Sequence, residues 1–360
     1  MRARDARAIL LAMDAHSVLA AVARLPRRAT LAVLALALVA CGQSARVAST
    51  ASAAVEDVVV AVDRSIAVQR FDGARRVLVT LEEAGGYPLA PRWVPDGRSI
   101  AYVQRRFFTG TAEADWGDDL MLQPVDGTPG RTLRVHRQRG QTIEGLAWTP
   151  DGRALLLGDV RMGANGNPFA AGASRLVRFD LASSTERVLV EDATDPSLSA
   201  DGRRLAFVRG AQAKPALLVA DGDGAQAVEV VPAGVFVVIR SPRVAPDGRS
   251  ILFAAPAEGA MGATPPPAPA PLMRPSLLAR LLAPRRAEAH GLPSYVWAVD
   301  IASGQRRRLS EFAMDDPAVA WADGGRAVVF LATDGLYRAL PDGSATQRAD
   351  GGALGAIDAR

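Results

Sequence analysis

From residue 57 to the end, short apolar runs alternate with clusters of Pro, Asp and Gly. Runs such as 58–62, 100–103, 154–157, 205–208, 251–255 and 327–332 are too short for helices and are bounded by turn-forming residues, which predicts strands. Past residue 41, only 275–283 shows a helical period over two turns. One pattern returns five times. Pro91-Arg92-Trp93-Val94-Pro95-Asp96-Gly97-Arg98 is echoed by Leu146-Ala147-Trp148-Thr149-Pro150-Asp151-Gly152-Arg153 and by Pro196-Ser197-Leu198-Ser199-Ala200-Asp201-Gly202-Arg203. It returns as Pro242-Arg243-Val244-Ala245-Pro246-Asp247-Gly248-Arg249 and, degenerately, as 317–330 around Asp323-Gly324. Pro presets φ, Asp offers a carboxylate to the turn, and Gly takes the positive φ that other residues resist, so each copy predicts a hairpin.

A second apolar hairpin follows each copy and occurs once before the first, with turns at 71–73, 125–127, 180–183, 221–224, 300–304 and 341–343. Two hairpins make a four-stranded antiparallel sheet. Successive repeat Asp residues lie 55, 50, 46 and 76 apart, lengths that suit propeller blades. The expected fold is therefore all-β, a six-bladed β-propeller of four-stranded antiparallel blades over 57–360. Val58 to Val62 supplies part of the incomplete blade, and the tail 352–358 closes the ring against it. Trp93, Trp148 and Trp321 share one register in the repeat, which predicts packing between blades.

The chain ahead of the repeats has a different character. Residues 29–40 form an uncharged apolar run behind Arg27 and Arg28 and end at Cys41, the sole cysteine of the 360 residues. Twelve helical residues reach about 18 Å, short of a hydrocarbon core of roughly 30 Å, so the segment reads as a secretory signal rather than a span. One cysteine cannot close an intramolecular disulfide. Leu38-Val39-Ala40-Cys41 resembles the lipobox of bacterial lipoproteins, which implies thiol lipidation at Cys41 after removal of 1–40. The Ala- and Ser-rich stretch within 41–56 then forms a flexible leash, and the resemblance to Gram-negative lipoproteins implies that Gly42, rather than Asp, after the cysteine favours the outer membrane. Met13 would begin a signal of ordinary length. Charge follows the same division: removing the six Arg and two Asp of 1–40 from totals of 42 basic and 38 acidic leaves 36 of each. The net +4 belongs to the signal, which argues against nucleic acid as a partner.

The Pro/Ala-Asp-Gly-Arg repeats resemble the WD40-like repeats of the TolB propeller, also found in relatives of prolyl oligopeptidase. The resemblance covers about 57–350 and implies the fold, with envelope proteins such as a peptidoglycan-associated lipoprotein as the kind of partner. The chain departs from both groups. Too few residues separate Cys41 from the first strands for the α/β domain that precedes the TolB propeller. No Gly-x-Ser-x-Gly elbow accompanies the repeats.

Candidate chemistry is sparse. His136 and His290 lack metal-ligand spacing, and Asp221-Gly222-Asp223-Gly224 reads as a hairpin turn rather than a calcium loop. No cofactor, metal or catalytic residue is expected. The informative irregularities are three insertions, 104–118, 159–173 and 256–293, all between the second and third strands of a blade. They should crowd the face opposite the Pro-Asp-Gly turns, as a binding face would. The first is rich in interface anchors, among them Arg105, Arg106, Phe107, Phe108 and Trp116, with Asp118 and Asp119 beside them. The second carries Arg161 and Phe169. The third combines a Pro-Ala stretch with a two-turn helix that includes Arg280 and is followed by Arg285 and Arg286. The expected protein is a lipid-anchored, non-catalytic binding module on the periplasmic side of the outer membrane. Its alternative is a metal- or cofactor-dependent enzyme or small-molecule binder using acidic residues at the propeller mouth, namely Glu82, Glu83, Asp195, Asp315 and Asp316.

Overall fold

A computed structural model describes residues 57–82, 86–107, 116–136, 140–161, 174–211, 213–259, 292–344, 346–349 and 355–359. The signal segment, Cys41 and the leash lie outside them. The described chain folds into six antiparallel sheets, each with four strands along its main path. Blade 1 holds β1 (Val58–Val62), β2 (Ser65–Gln69) and β3 (Arg75–Thr80). Blade 2 runs β4 (Tyr87–Trp93), β5 (Ser99–Phe107), β6 (Trp116–Pro124) and β7 (Arg131–Arg134), and blade 3 runs β8 (Gln141–Trp148), β9 (Ala154–Arg161), β10 (Ser174–Asp180) and β11 (Glu186–Glu191). Blade 4 comprises β12 (Ala193–Leu198), β13 (Arg204–Arg209), β14 (Ala216–Asp221) and β15 (Val228–Val231). In blade 5, β16 (Arg240–Val244), β17 (Ser250–Ala255), β18 (Pro293–Asp300) and β19 (Arg306–Arg308) are joined by the short β20 (Met314–Asp315), which pairs with β18. Blade 6 is β21 (Ala318–Ala322), β22 (Ala327–Ala332), β23 (Gly335–Ala339) and β24 (Gln347–Ala349).

The last strand, β25 (Gly355–Ala359), returns to blade 1 and pairs with β1 over five rungs from Val58↔Ala359 to Val62↔Gly355. The tail therefore supplies the innermost strand of the first blade, as the sequence anticipates. Hydrophobic clusters show that the ring closes. Among the described residues six occur, each shared by neighbouring blades, including one that joins Val58, Val60 and Ile357 of blade 1 to Ala320, Val329 and Leu331 of blade 6. Second strands such as β9 and β22 lie between two neighbours and bury nearly every residue. Hence they read as unbroken apolar runs rather than alternating ones. Outer strands such as β3 and β11 face solvent. Trp93 packs with cores of blades 1 and 2, Trp148 with those of 2 and 3, and Trp321 with those of 5 and 6, which is the expected packing role.

The repeated turns form the predicted hairpins. Asp96, Asp151, Asp201 and Asp247 each accept a hydrogen bond through Oδ1 from the backbone N–H of the Arg two residues on. The Asp221–Gly224 segment is likewise a hairpin turn, closed from Gly224 N–H to Asp221 O at 2.8 Å. Successive turns also interlock around one face. Gly202, at φ 71°, sits so that an added Cβ would lie 3.0 Å from Pro150 Cγ of the preceding blade. Gly202→Val meets both a left-handed backbone and that contact. A destabilisation of about 2–3 kcal/mol is expected, read as a lower urea midpoint with unchanged slope; an unmoved midpoint would show that these turns do not interlock.

Candidate binding face and central channel

The long links join β5 to β6, β9 to β10 and β17 to β18, always second strand to third. They leave from the rim opposite the Pro-Asp-Gly turns, where the blade-to-blade links also run. Of the candidate binding residues, Phe107 ends β5 and Trp116 begins β6, and their backbones pair as the last rung of that ladder. Arg161 ends β9, exposed, on the rung of Gln141. Phe108, Phe169, Arg280, Arg285, Arg286 and His290 lie outside the described residues.

Two insertions are shorter than the sequence implied. Residues 104–107 and 116–118 belong to strands, as do 159–161. Their charged side chains suggested loop, yet all but that of Arg161 form ion pairs under the rim of blades 2 and 3. Arg105 forks onto both oxygens of Asp118 at 2.9 Å and reaches Glu144 at 3.2 Å. Asp118 Oδ2 also accepts the Ile143 N–H. Asp119 pairs with Arg106 and receives both the backbone N–H and the Nδ1 contact of His136. Deepest is Asp159, whose side chain is fully buried: Gln141 donates to it at 2.7 Å, Arg134 at 3.1 Å and Arg175 at 3.0 Å. Burial alone would raise the Asp159 pKa, but the Arg134 charge and the hydrogen bonds from Gln141, Arg134 and Arg175 overcome it and hold the carboxyl below its ordinary range. Arg105, Arg106, Asp118 and Asp119 are thus internal ties between strands rather than the free interface anchors expected of them.

The inner strands β4, β8, β12 and β16 each break register at one bulge. The residue at the break takes a left-handed φ: Ala90 at 46°, Gly145 at 87°, Asp195 at 52° and Ser241 at 50°. Gly145 has no alternative there, since a Cβ would stand 2.8 Å from Asp195 Cα. Bulges re-aim the residues that follow, and two of these are arginines. Arg92 pairs in register with Ala101 and Arg243 with Leu252, equivalent places in blades 2 and 5. The next backbone N–H also behaves alike in both blades, with Trp93 donating to Asp358 of blade 1 and Val244 to Ser197 of blade 4. Blades 2 and 5 are three apart in a ring of six, so the guanidiniums approach the central channel from opposite sides.

Asp195 and Asp358 share this surrounding. Burial, then the Glu144 charge, pushes Asp195 up to about 6 against the pull of Arg243 and Arg240. Asp358 is raised by burial and opposed by Arg92 and Arg243. Arg92 is lowered by burial; Arg243 is lowered by burial and by Arg92. The four charges thus act on one another, with Arg92 buried and Asp195, Arg243 and Asp358 half-buried. Of them, sequence reasoning singled out only Asp195. The signal for the arginines was present in the quoted repeats, where Pro-Arg stands at one position in just two copies.

No family model matches this chain, and no curated protein sequence matches it. Solved structures do. TolB from Acinetobacter baumannii aligns at a TM-score of 0.58 with 16% identity, covering 84% of this chain and 66% of that one. A chain of the nidogen/laminin complex aligns at 0.58 with 9% identity, covering 84% of this chain and 98% of its own length. The protein is a six-bladed β-propeller. Its fold is TolB-like, and at these identities the likeness concerns the fold alone.

Proposed function

We propose that this chain is a lipid-anchored propeller of the bacterial envelope that binds another protein or envelope component through its loop-bearing face and channel mouth. The observation that carries the reading is the segregation of all three long links to one rim, around the mouth where the bulged inner strands place charge. The lipobox-like sequence at Cys41 supports anchoring on the periplasmic side of the outer membrane, and a TolB-like fold supports protein partners in the envelope, a peptidoglycan-associated lipoprotein among them. Catalysis is not part of the proposal; the rim arginines and carboxylates are engaged with one another, and the repeats build turns and core.

Two acyl chains suffice for stable membrane attachment at about 0.8 kcal/mol per buried CH₂. Cys41→Ala is therefore expected to yield a soluble or uncleaved protein, judged by fractionation and by mass spectrometry of the N-terminus. Membrane partition of a variant cleaved at the same place would refute the anchor. Binding is tested by capture from envelope extracts with the full chain and with a variant lacking 260–291. Weaker capture by the deletion variant is expected, and equal capture would remove that link from the binding face.

A further inference from the structure

We infer that the central channel holds an oxyanion site, in which a single carboxylate or phosphate group is gripped between Arg92 of blade 2 and Arg243 of blade 5. The inference deepens the binding-module reading by naming the chemistry recognised at the mouth, while its test stands apart from that reading.

Position is the first support. A ring of six places equivalent residues of blades 2 and 5 across its axis, and the arginines occupy equivalent registers there. The corresponding residues of blades 3 and 4 are Ala147 and Ser197, so the repeat itself does not require a cation. Preorganisation is the second. Each arginine follows a left-handed residue and a proline, Ala90-Pro91 and Ser241-Pro242, and each folds its Nη1 back onto that proline's carbonyl. The forks are thereby held before a ligand arrives, which lowers the cost of ordering them.

The third support is what the two side chains lack. Buried guanidiniums ordinarily sit against a carboxylate. Arg92 instead donates to three main-chain carbonyls, of Pro91, Leu146 and Ile357. Arg243 donates to the Pro242 carbonyl, while its Nε is buried with no acceptor. Among the described residues, neither arginine has an ion pair with a carboxylate. Asp195 and Asp358 act on both arginines electrostatically without closing an ion pair with either, and Asp358 spends Oδ2 on the Trp93 N–H of the next blade. A purely structural role accounts for Arg92, whose donors tie three inner strands together. It does not account for Arg243, whose Nε is enclosed without an acceptor across the ring from Arg92. An oxyanion accepts from such forks and separates the two like charges.

The test uses full-length protein in detergent, titrated with inorganic phosphate and with citrate against sodium chloride at matched ionic strength, followed by calorimetry and thermal unfolding. Saturable binding of at least one anion is expected, with a raised melting temperature that chloride does not reproduce. Arg243→Gln should weaken binding roughly ten- to hundred-fold while unfolding cooperatively without anion. Arg243→Lys, a charge without the fork, should fall between the two. Phosphate binding without citrate binding assigns a phosphoryl source, the reverse assigns a carboxylate, and binding of both assigns a site for either group. Absence of saturable binding in the native protein overturns the inference, as does binding that Arg243→Gln leaves unchanged. Failure here would leave partner capture by the loop-bearing face untouched, so the two readings fail separately.

Discussion

Asp159→Ala is expected to cost about 3–5 kcal/mol, the range for stripping one partner from a buried ion network. The carboxylate is fully buried in the second strand of blade 3 and accepts from Gln141, Arg134 and Arg175. Arg134 is itself nearly inaccessible; without Asp159 it keeps only Glu186 as a countercharge. The gap also removes the bond that Gln141, on the innermost strand of the same blade, donates to Asp159. Urea unfolding of the variant should show a markedly lower midpoint. Arg161→Ala, two residues along the same strand at an exposed position, should stay within about 0.5 kcal/mol of the native protein. Equal effects at both positions would mean that the network is not buried. The sign with pH follows from the depressed pKa of Asp159. Its contribution is complete above the unfolded carboxyl value of about 3.9 and is lost as pH falls through the folded one. The Asp159→Ala variant should therefore approach the native protein in stability toward strongly acidic pH.

Truncation after Ala349 should have a larger effect still, because it removes β25 and opens the ring. The five residues of β1 are all buried, and β25 is their inner hydrogen-bonding neighbour. Without it the inner edge of β1 is left as an unpaired apolar edge, a template for association. Ile357 leaves the shared core of blades 1 and 6. Trp93 and Arg92 lose Asp358 Oδ2 and the Ile357 carbonyl. Loss of cooperative thermal unfolding and a shift to aggregates in size-exclusion chromatography are expected. Ile357→Ala, which keeps the ladder but empties the core position, should cost about 2–4 kcal/mol and remain monomeric. A truncated chain that stays monomeric with the native melting temperature would contradict closure by the tail.

The fold was legible because its determinants are local and repeated. Pro95-Asp96-Gly97 and its copies specify hairpins from three or four adjacent residues, and five copies together with six second hairpins leave a ring with one strand to be supplied by the tail. The rim network was misread for the opposite reason. Gln104, Arg105, Asp118 and Asp159 are polar, and polarity in a stretch without apolar alternation reads as loop. Their partners stand 13 to 39 residues away, as in Arg105 with Asp118 and with Glu144, and only the closing of sheets brings them together. The channel arginines are a third case. Arg92 and Arg243 lie inside the recognised repeats, and what distinguishes them is that the second and fifth blades of a six-membered ring are opposed. That relation belongs to the topology, so it became visible only once the number of blades was established. The strand ends that carry Phe107, Trp116 and Arg161 were legible because insertion position, unlike side-chain pairing, follows directly from strand order.

The central claim is that the loop-bearing face meets the partner, and photocrosslinking in intact cells tests it most directly. A photoreactive residue is introduced singly at Arg161 or Arg240 on that face, and at Arg203 or Arg249 on the face of the Pro-Asp-Gly turns. Crosslinked adducts of one discrete mass from positions 161 and 240, with none from 203 and 249, are the expected result. Adducts from 203 and 249 alone, or none from any position in cells that contain the anchored protein, would contradict the account.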